Sequence, residues 1–252
     1  MAGLSDIEWT DATWNPVSGC SMISPGCTNC YAMRMAARLQ SMSHPSYREL
    51  TRKSGGRPVW TGKVRLLPDA LKIPLGWKKP RKIFVNSMSD LFQDDVPSEF
   101  IAEVWSTMLS ANQHVYQILT KRPDNMKRIV AELDLKPARH IWLGTSVENE
   151  NYVDRVAILR TIPAAIRFIS FEPLLGPVGP VYLDGIHWAI VGGESGPSSR
   201  PIEQKWVDEI KVQCRKFDTA FFFKQWGGTN KKVSGREYRG RTWDEYPIGV
   251  EA

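Results

Sequence analysis

Short apolar segments alternate with amphipathic segments along most of the chain. In residues 98–109, apolar side chains such as Ile101 and Val104 recur at helical spacing. Further helices are expected at residues 124–133, 149–160 and 205–217, with one more beginning near Cys30. Six short apolar segments predict strands, at residues 83–86, 115–119, 141–144, 166–171, 188–191 and 220–223, and a seventh is expected near residues 8–10. This alternation predicts βαβ units with a parallel sheet. The number of strands favours an α/β fold of the partial (β/α) TIM-like barrel type, with an open doubly wound sheet as the alternative.

Polar residues follow almost every predicted strand. In parallel α/β folds the carboxyl ends of the strands share one face, and functional sites are built there. Strand ends also turn polar because helices need capping residues, so no single position decides between the two interpretations. The residues at these strand ends that could contact a ligand are Asn86, Ser87, Lys121, Arg122, Ser146, Glu172, Gly192, Gly193, Glu194, Lys224 and Gln225.

Two segments depart from the alternating pattern. Residues 41–82 are rich in Pro, Gly, Lys and Arg, which predicts a basic, loop-rich excursion. Residues 227–252 are Gly-rich and polar with weak strand signals, which predicts a C-terminal extension. We expect both to belong to a single domain that covers residues 1–252.

Composition narrows the class of protein. The 252 residues are 42% hydrophobic and 24% charged, which is ordinary for a globular protein and argues against disordered, collagenous and disulfide-scaffold classes. No run of about 18 apolar residues occurs, so no membrane-spanning helix is expected. The first ten residues contain two acids and no apolar core, so we expect no signal peptide and a cytoplasmic location.

Three of the four cysteines are clustered with the spacing Cys-x6-Cys-x2-Cys, at Cys20, Cys27 and Cys30. In a reducing compartment, clustered cysteines bind metal more often than they form disulfides. A structural zinc site needs four ligands, whereas a [4Fe-4S] cluster on three cysteines leaves one iron open to a small molecule such as S-adenosylmethionine. The alternatives are zinc with His44 as fourth ligand and free buried thiols. The remote Cys214 falls on an apolar helix face, which predicts a core position.

The sequence resembles the phage and bacterial three-cysteine-motif proteins, a radical-SAM-like family related to spore photoproduct lyase. The similar segments are residues 19–32, 90–92, 119–123, 171–174, 192–196 and 223–227, so the resemblance covers nearly the whole chain. It implies a radical-SAM-type partial barrel. The three cysteines would hold a [4Fe-4S] cluster, and reductive cleavage of S-adenosylmethionine, driven by an external electron donor, would yield a 5′-deoxyadenosyl radical. It also implies a lyase-like repair of DNA photoproducts. The sequence departs from the common radical-SAM loop in its first cysteine gap, which is six residues here and three there.

Residue roles follow from this chemistry. Glu172 and Glu194 are candidates for an ammonium or ribose of the cosubstrate, and Gly192 and Gly193 precede Glu194 in a Gly-Gly-Glu stretch. The neutral cofactor-binding candidates are Asn86, Ser87, Ser146 and Gln225. Candidates for catalysis are Tyr31, beside the last cysteine, and the cations Lys121, Arg122 and Lys224, which could hold a carboxylate or phosphate.

Basic residues with interleaved aromatic residues suit a nucleic-acid partner. They cluster at residues 48–57, 78–82 and 231–241, although solvated loops remain an alternative because the net charge is only +6. We therefore predict hydrogen abstraction from a nucleic acid, most simply DNA. The rival functions are a radical enzyme acting on a protein or small metabolite, and a non-catalytic metal-stabilised module that binds nucleic acid.

Overall fold

The computed structural model describes residues 2–247 as an α/β protein. Its strands are β1 (Ala2–Leu4), β2 (Ala12–Trp14), β3 (Val17–Ser18), β4 (Thr51–Ser54), β5 (Arg57–Trp60), β6 (Arg65–Leu66), β7 (Lys82–Val85), β8 (Val115–Thr120), β9 (Ile141–Ser146), β10 (Ile166–Phe171), β11 (Trp188–Gly192) and β12 (Ala220–Gln225). Its helices are α1 (Tyr31–Ser41), α2 (Ser98–Ser110), α3 (Pro123–Glu132), α4 (Asp154–Arg160), α5 (Gln204–Lys216) and α6 (Lys231–Ser234). None of the helices in this part of the chain has the length and apolar composition needed to cross a bilayer.

Eight strands form one sheet in the order β1-β2-β7-β8-β9-β10-β11-β12. Strand β1 is antiparallel to β2, and every later pair in the sheet is parallel. The six strands expected after residue 80 are therefore confirmed, as is the mostly parallel sheet. The strands follow chain order across the sheet, unlike doubly wound sheets, whose order reverses at a switch point. Over residues 2–247 no pairing joins β12 to β1, so the sheet has two edges.

The sheet is strongly curved. The Trp9 ring lies 4.8 Å from Phe84 of β7 and 6.1 Å from Trp188 of β11, measured between ring centroids. In a flat sheet, strands spaced ~4.8 Å apart would put β7 and β11 roughly 19 Å apart. One indole contacts both only because the sheet bends around it.

The two faces of the sheet bury separate apolar cores, as the period-two alternation of strand side chains requires. The helix-covered face includes Ile169 and Phe223, and the concave face holds a second cluster with Trp142, Phe168 and Trp188. Cys214 of α5 is buried in the helix-side core, as the sequence predicts.

The excursion at residues 41–82 is more ordered than its composition suggests. It contains a hairpin of β4 and β5, joined by Gly55 and Gly56 with φ of +55° and +75°. Two consecutive left-handed residues make the tight turn that hairpins prefer, and glycine adopts it without steric cost. The expected strand near residues 8–10 is displaced to β2, because Thr10 ends a turn there and its hydroxyl donates to the Ala12 carbonyl.

The C-terminal extension runs antiparallel along the β12 edge of the sheet. The Phe223 N–H donates to the Trp243 carbonyl at 2.9 Å, and Phe222 pairs with Asp244. We call residues 236–246 the C-terminal strap. Residues 248–252 of the expected extension lie outside the described residues. A covered edge strand cannot pair with another chain, so the strap protects the sheet from edge-to-edge association.

Lys211 of α5 is buried under this strap. Its ammonium faces the rings of Phe221, Tyr238 and Trp243, and its Nζ has no hydrogen-bond partner among the described residues. Burial is the main cause that lowers the pKa of Lys211 from 10.5 to about 8; the cations Arg215 and Arg241 act in the same direction, and Glu245 opposes them. Below pH 8 the folded protein therefore carries a buried charge, at a cost of about 3 kcal/mol.

We expect Lys211→Met to remove this pH dependence. Between pH 8 and 10.5 the unfolded chain binds more protons at Lys211 than the folded chain, so this residue makes the free energy of unfolding rise with pH. At pH 7 the free energy of unfolding of the variant should exceed that of wild type. In urea denaturation this difference should shrink by about 3 kcal/mol between pH 7 and pH 10.5. Lys216→Met, at an exposed position on the same helix, is the control and should leave the difference flat.

Candidate functional site

The three clustered cysteines lie in a loop that packs against the carboxyl ends of the parallel strands. We call residues 20–30 the cysteine loop. It leaves β3 through Gly19, which pairs with Ser89 beyond the end of β7. It then forms the single turn Pro25–Cys27, and Cys30 is the residue before the first turn of α1. Three contacts fix the loop to the sheet.

The first contact joins the loop to β7 and β8. Arg122, which follows β8, donates from Nη2 to Ser21 Oγ at 2.6 Å and from Nη1 to Asp90 Oδ2 at 3.0 Å. Asp90 also accepts the Thr120 hydroxyl at 2.7 Å and the Lys121 N–H at 3.2 Å. Arg122 and Asp90 are both buried, so this ion pair is shielded from solvent.

The second contact joins the loop to β9. Glu148 follows this strand, and its side chain is 0% exposed. Its Oε1 accepts hydrogen bonds from Ser24 Oγ at 2.5 Å and from Lys121 Nζ at 2.6 Å, while its Oε2 accepts one from Arg155 Nη1 at 3.0 Å. Burial raises the pKa of the Glu148 carboxyl, but its cationic and hydroxyl donors outweigh burial and leave the pKa lowered.

The third contact joins the loop to β11. Glu194 accepts from Asn29 Nδ2 at 2.9 Å and forms a two-pronged ion pair with Arg200, whose Nη2 also donates to the Pro25 carbonyl at 2.9 Å. From α1, Arg34 donates to the Ser195 carbonyl at 3.0 Å. Both Glu194 oxygens are thus engaged with the loop and its neighbours, and its contact with a cosubstrate stays a prediction.

The three thiols lie close enough to interact electrostatically. Burial raises the pKa of Cys20 to about 12, with smaller increases from Asp90 and from the other two cysteines, and burial also raises the pKa of Cys30. The nearby cations oppose this effect: Arg122 lowers the pKa of Cys20, and Lys121 lowers the pKa of Cys30.

Over residues 2–247, no group of three His, Cys, Asp or Glu side chains is arranged around one point as ligands of a single metal ion. An iron–sulfur cube binds each thiolate to a different iron, so its ligands stand farther apart than the ligands of one ion. His44, the fourth ligand of the zinc alternative, uses its Nδ1 to accept the Ser46 N–H at 3.3 Å. Three neighbouring thiols with cations beside them fit an anionic three-thiolate cluster.

Two buried polar atoms at the strand ends lack partners within the described part of the chain. Asn86 Nδ2, after β7, is a donor without an acceptor, and Gln225 Oε1, at the end of β12, is an acceptor without a donor. Each unsatisfied buried group costs roughly 1–3 kcal/mol. A ligand that carries both acceptors and donors, as the aminoacyl end of S-adenosylmethionine does, would fit this pair.

The other predicted residues occupy the same end of the sheet. Lys224 Nζ lies 3.1 Å from Glu172 Oε1, and a Cβ at Gly192 would stand 2.5 Å from that oxygen, so only glycine fits beside this carboxylate. A Cβ at Gly193 would likewise overlap the carbonyl oxygen of Trp226. The remaining three are the Ser87 hydroxyl, which donates to Asn15 Oδ1 at 3.2 Å, the buried Ser146 at the end of β9, and the exposed Tyr31 at the start of α1.

Several residues of the site were not predicted. Asp90 and Glu148 lie within the polar stretches that follow β7 and β9, so the strand-end pattern located them without assigning a role. Their partners in the loop and on the sheet are Ser21, Ser24, Asn29, Arg155 and Arg200.

The family described as "Protein of unknown function (DUF5131)" matches residues 4–247. The chain belongs to this family. The match covers seven strands of the sheet, from β2 to β12, and includes the cysteine loop with all three of its contacts. Neither the curated proteins nor the solved structures contain a match to the chain. The chemistry of this DUF5131 protein must therefore be argued from its own residues.

Proposed function

We propose that this protein is a radical S-adenosylmethionine enzyme of the cytoplasm, with a [4Fe-4S] cluster on Cys20, Cys27 and Cys30 and a partial (β/α) barrel of the radical SAM type. The observation that carries the proposal is the attachment of a three-cysteine loop to the carboxyl ends of β7, β8, β9 and β11. The strand order and the curvature of the sheet are those expected of a partial barrel.

The residues divide into three tasks. The three thiolates would hold the cluster, and Asn86, Gln225 and the Glu172–Lys224 pair would bind and orient the cosubstrate. When bound, the cluster and S-adenosylmethionine supply one-electron chemistry that leads to hydrogen abstraction, with an external reductant as the electron source. The aromatic core behind the strand ends keeps water out from the concave side.

Only one of the three basic segments flanks the cysteines. The β4–β5 hairpin shares an apolar cluster with α1, Cys20 and Cys30. Its cations Arg52, Lys53 and Arg57 are exposed, and none forms an ion pair with another described residue. The hairpin is therefore the best candidate surface for the backbone of a nucleic-acid substrate, most simply damaged DNA.

The other two basic segments are less suitable. Residues 78–82 lie at the amino end of β7, which begins at Lys82, at the opposite end of that strand from Asn86. In the third segment, Arg236 pairs with Asp244 and Arg239 pairs with Asp208. Lys231 and Lys232 lie outside the residues whose side chains are described.

The decisive experiment is anaerobic purification with iron and sulfide analysis, followed by dithionite and S-adenosylmethionine. We expect about four irons per chain and formation of 5′-deoxyadenosine. Cys27→Ala should abolish both, and Cys214→Ala, outside the cysteine loop, should retain both. Stoichiometric zinc without sulfide, or an intact cluster that yields no 5′-deoxyadenosine, would contradict the proposal.

Charge reversal tests the nucleic-acid substrate. We expect Arg52→Glu with Arg57→Glu to weaken binding of an ultraviolet-irradiated DNA duplex about tenfold or more at low salt. A plot of the logarithm of the binding constant against the logarithm of the salt concentration should also become less steep, by roughly 1 for each lost phosphate contact. Lys78→Glu with Lys79→Glu changes the charge equally at the far end of β7 and serves as the control. Equal losses in both variants would contradict a role for the hairpin.

A further inference from the structure

Glu148 contacts the cysteine loop and two cations through one buried side chain. Its buried carboxylate accepts from Ser24 of the loop, from Lys121 after β8 and from Arg155 of α4. Loss of these donors would leave a buried carboxylate without partners, which strongly destabilises a protein. Ser24, Lys121, Arg155 and Glu148 therefore form one unit. This unit lies directly under the Pro25–Cys27 turn.

The loop and the carboxylate fit each other without spare volume. A Cβ built on Gly26 would lie 2.5 Å from Glu148 Oε1 and 2.7 Å from its Cγ. Real Cβ atoms do not approach other atoms this closely, so glycine at position 26 is what allows the turn to rest on the acid. Because Gly26 directly precedes Cys27, a shift of this turn displaces one thiol relative to the other two.

The same carboxylate determines where a neighbouring cation stands. Lys121 Nζ is held 2.6 Å from Glu148 Oε1, and that oxygen is the atom on which the Pro25–Cys27 turn rests. Glu148 is also paired with Arg155, so one acid faces two cations. This group of three residues therefore carries a net positive charge.

We propose that Glu148 is a positioning residue that sets the place of the Cys27 turn on the sheet and holds Lys121 next to that turn as a counter-cation for the cluster. This inference rests on the proposed function. It adds a regulation of that site: the Glu148–Lys121 pair sets the electrostatic environment in which the cluster is reduced.

The fit between Gly26 and Glu148 can be tested by a double-mutant cycle. Gly26→Ala should displace the turn, and Glu148→Ala should remove both the support under it and the atoms that a methyl group at position 26 would overlap. The double variant should therefore lose no more than Glu148→Ala alone. In metal-free protein we expect faster hydrogen exchange at residues 24–30 in each single variant, and exchange in the double variant within about twofold of that in Glu148→Ala. Additive losses in the double variant would overturn the proposal.

The counter-cation role has a readout that a purely structural contact would not change. In the reconstituted protein, Lys121→Gln should lower the midpoint reduction potential of the cluster, because a positive charge that favours the reduced state is lost. In a Glu148→Gln background the effect of Lys121→Gln should be smaller, because the acid that holds the ammonium in place is gone. Glu132→Gln, at an exposed acid at the end of α3, should leave the potential unchanged. No shift for Lys121→Gln in the otherwise wild-type protein, or an equal shift in both backgrounds, would overturn the counter-cation role.

The two readouts separate failure of this inference from failure of the proposed function. If wild-type protein binds no iron–sulfur cluster, the proposed function fails and the counter-cation role falls with it, while hydrogen exchange in metal-free protein still decides whether Glu148 positions the turn. If wild type binds a cluster and the losses of Gly26→Ala and Glu148→Ala add in the double variant, only the role of Glu148 is wrong.

Discussion

Replacing Asp90 with alanine is expected to lower the free energy of unfolding by about 3–5 kcal/mol, because it leaves a buried guanidinium without its counter-charge. Arg122 and Asp90 side chains are both only 8% exposed, so water cannot replace the lost carboxylate. Asp90 Oδ1 also accepts the Phe92 N–H at 3.0 Å and the Thr120 hydroxyl, and both donors would lose their partner. Urea denaturation of the metal-free protein measures the loss without any assumption about a cofactor.

Asp94→Ala provides the matched control for this prediction. Its carboxylate stands 3.9 Å from the same Arg122 but its side chain is 77% exposed. An exposed ion pair contributes about 0–1 kcal/mol, so this variant should stay close to wild type. If the two variants lost similar stability, the contact between the loop and β8 would not depend on the buried pair. A small loss in Asp90→Ala would lead to the same conclusion.

The sheet was largely predictable because its strands are apolar on both faces. Strands β7 to β12 are each buried on the helix side and on the concave side, which produces the short apolar segments that the sequence shows. The β4–β5 hairpin was missed for the opposite reason. Residues 52–57 are exposed throughout, so no alternation of apolar and polar side chains marks its strands, and the Gly55-Gly56 pair was the only signal.

The contacts of the cysteine loop were predictable in location but not in their pairings. Polar residues after parallel strands located the end of the sheet against which the loop packs, since those ends share one face. Which acid meets which base depends on the path of the cysteine loop across that face. Glu148 and Ser24 are 124 residues apart in sequence, and Glu194 and Asn29 are 165 apart. Local periodicity carries no information about such long-range contacts.

Glu194 shows that a residue singled out by a sequence motif can also have structural contacts. The Gly-Gly-Glu stretch suggested an acid for the cosubstrate, yet Arg200 and Asn29 occupy its oxygens. Asn86 and Gln225 were weaker candidates by sequence, being neutral and common at strand ends. Their unpartnered buried atoms within the described chain make them the stronger candidates for ligand contact.

Trp188→Ala is expected to cost about 3–5 kcal/mol of stability, the range for removing a large buried aromatic side chain. The Trp188 ring is 0% exposed and contacts the rings of Trp9, Trp142, Phe168, Phe222 and Tyr246. It therefore connects the N-terminal segment, three strands of the sheet and the C-terminal strap. Chemical denaturation measures the loss, and Trp188→Phe should recover part of it by keeping one ring in place.

The size of that loss also distinguishes two descriptions of the concave face. If the curved sheet closes on a packed core, removing the indole leaves a cavity that the surrounding rings cannot fill, and the full cost appears. If the concave face opens in solution, water fills the space and Trp188→Ala should cost less than about 2 kcal/mol, close to the transfer free energy alone. A packed concave core would give the strand ends a rigid support. The cysteine loop needs such a support if its three contacts are to hold the thiols at fixed separations.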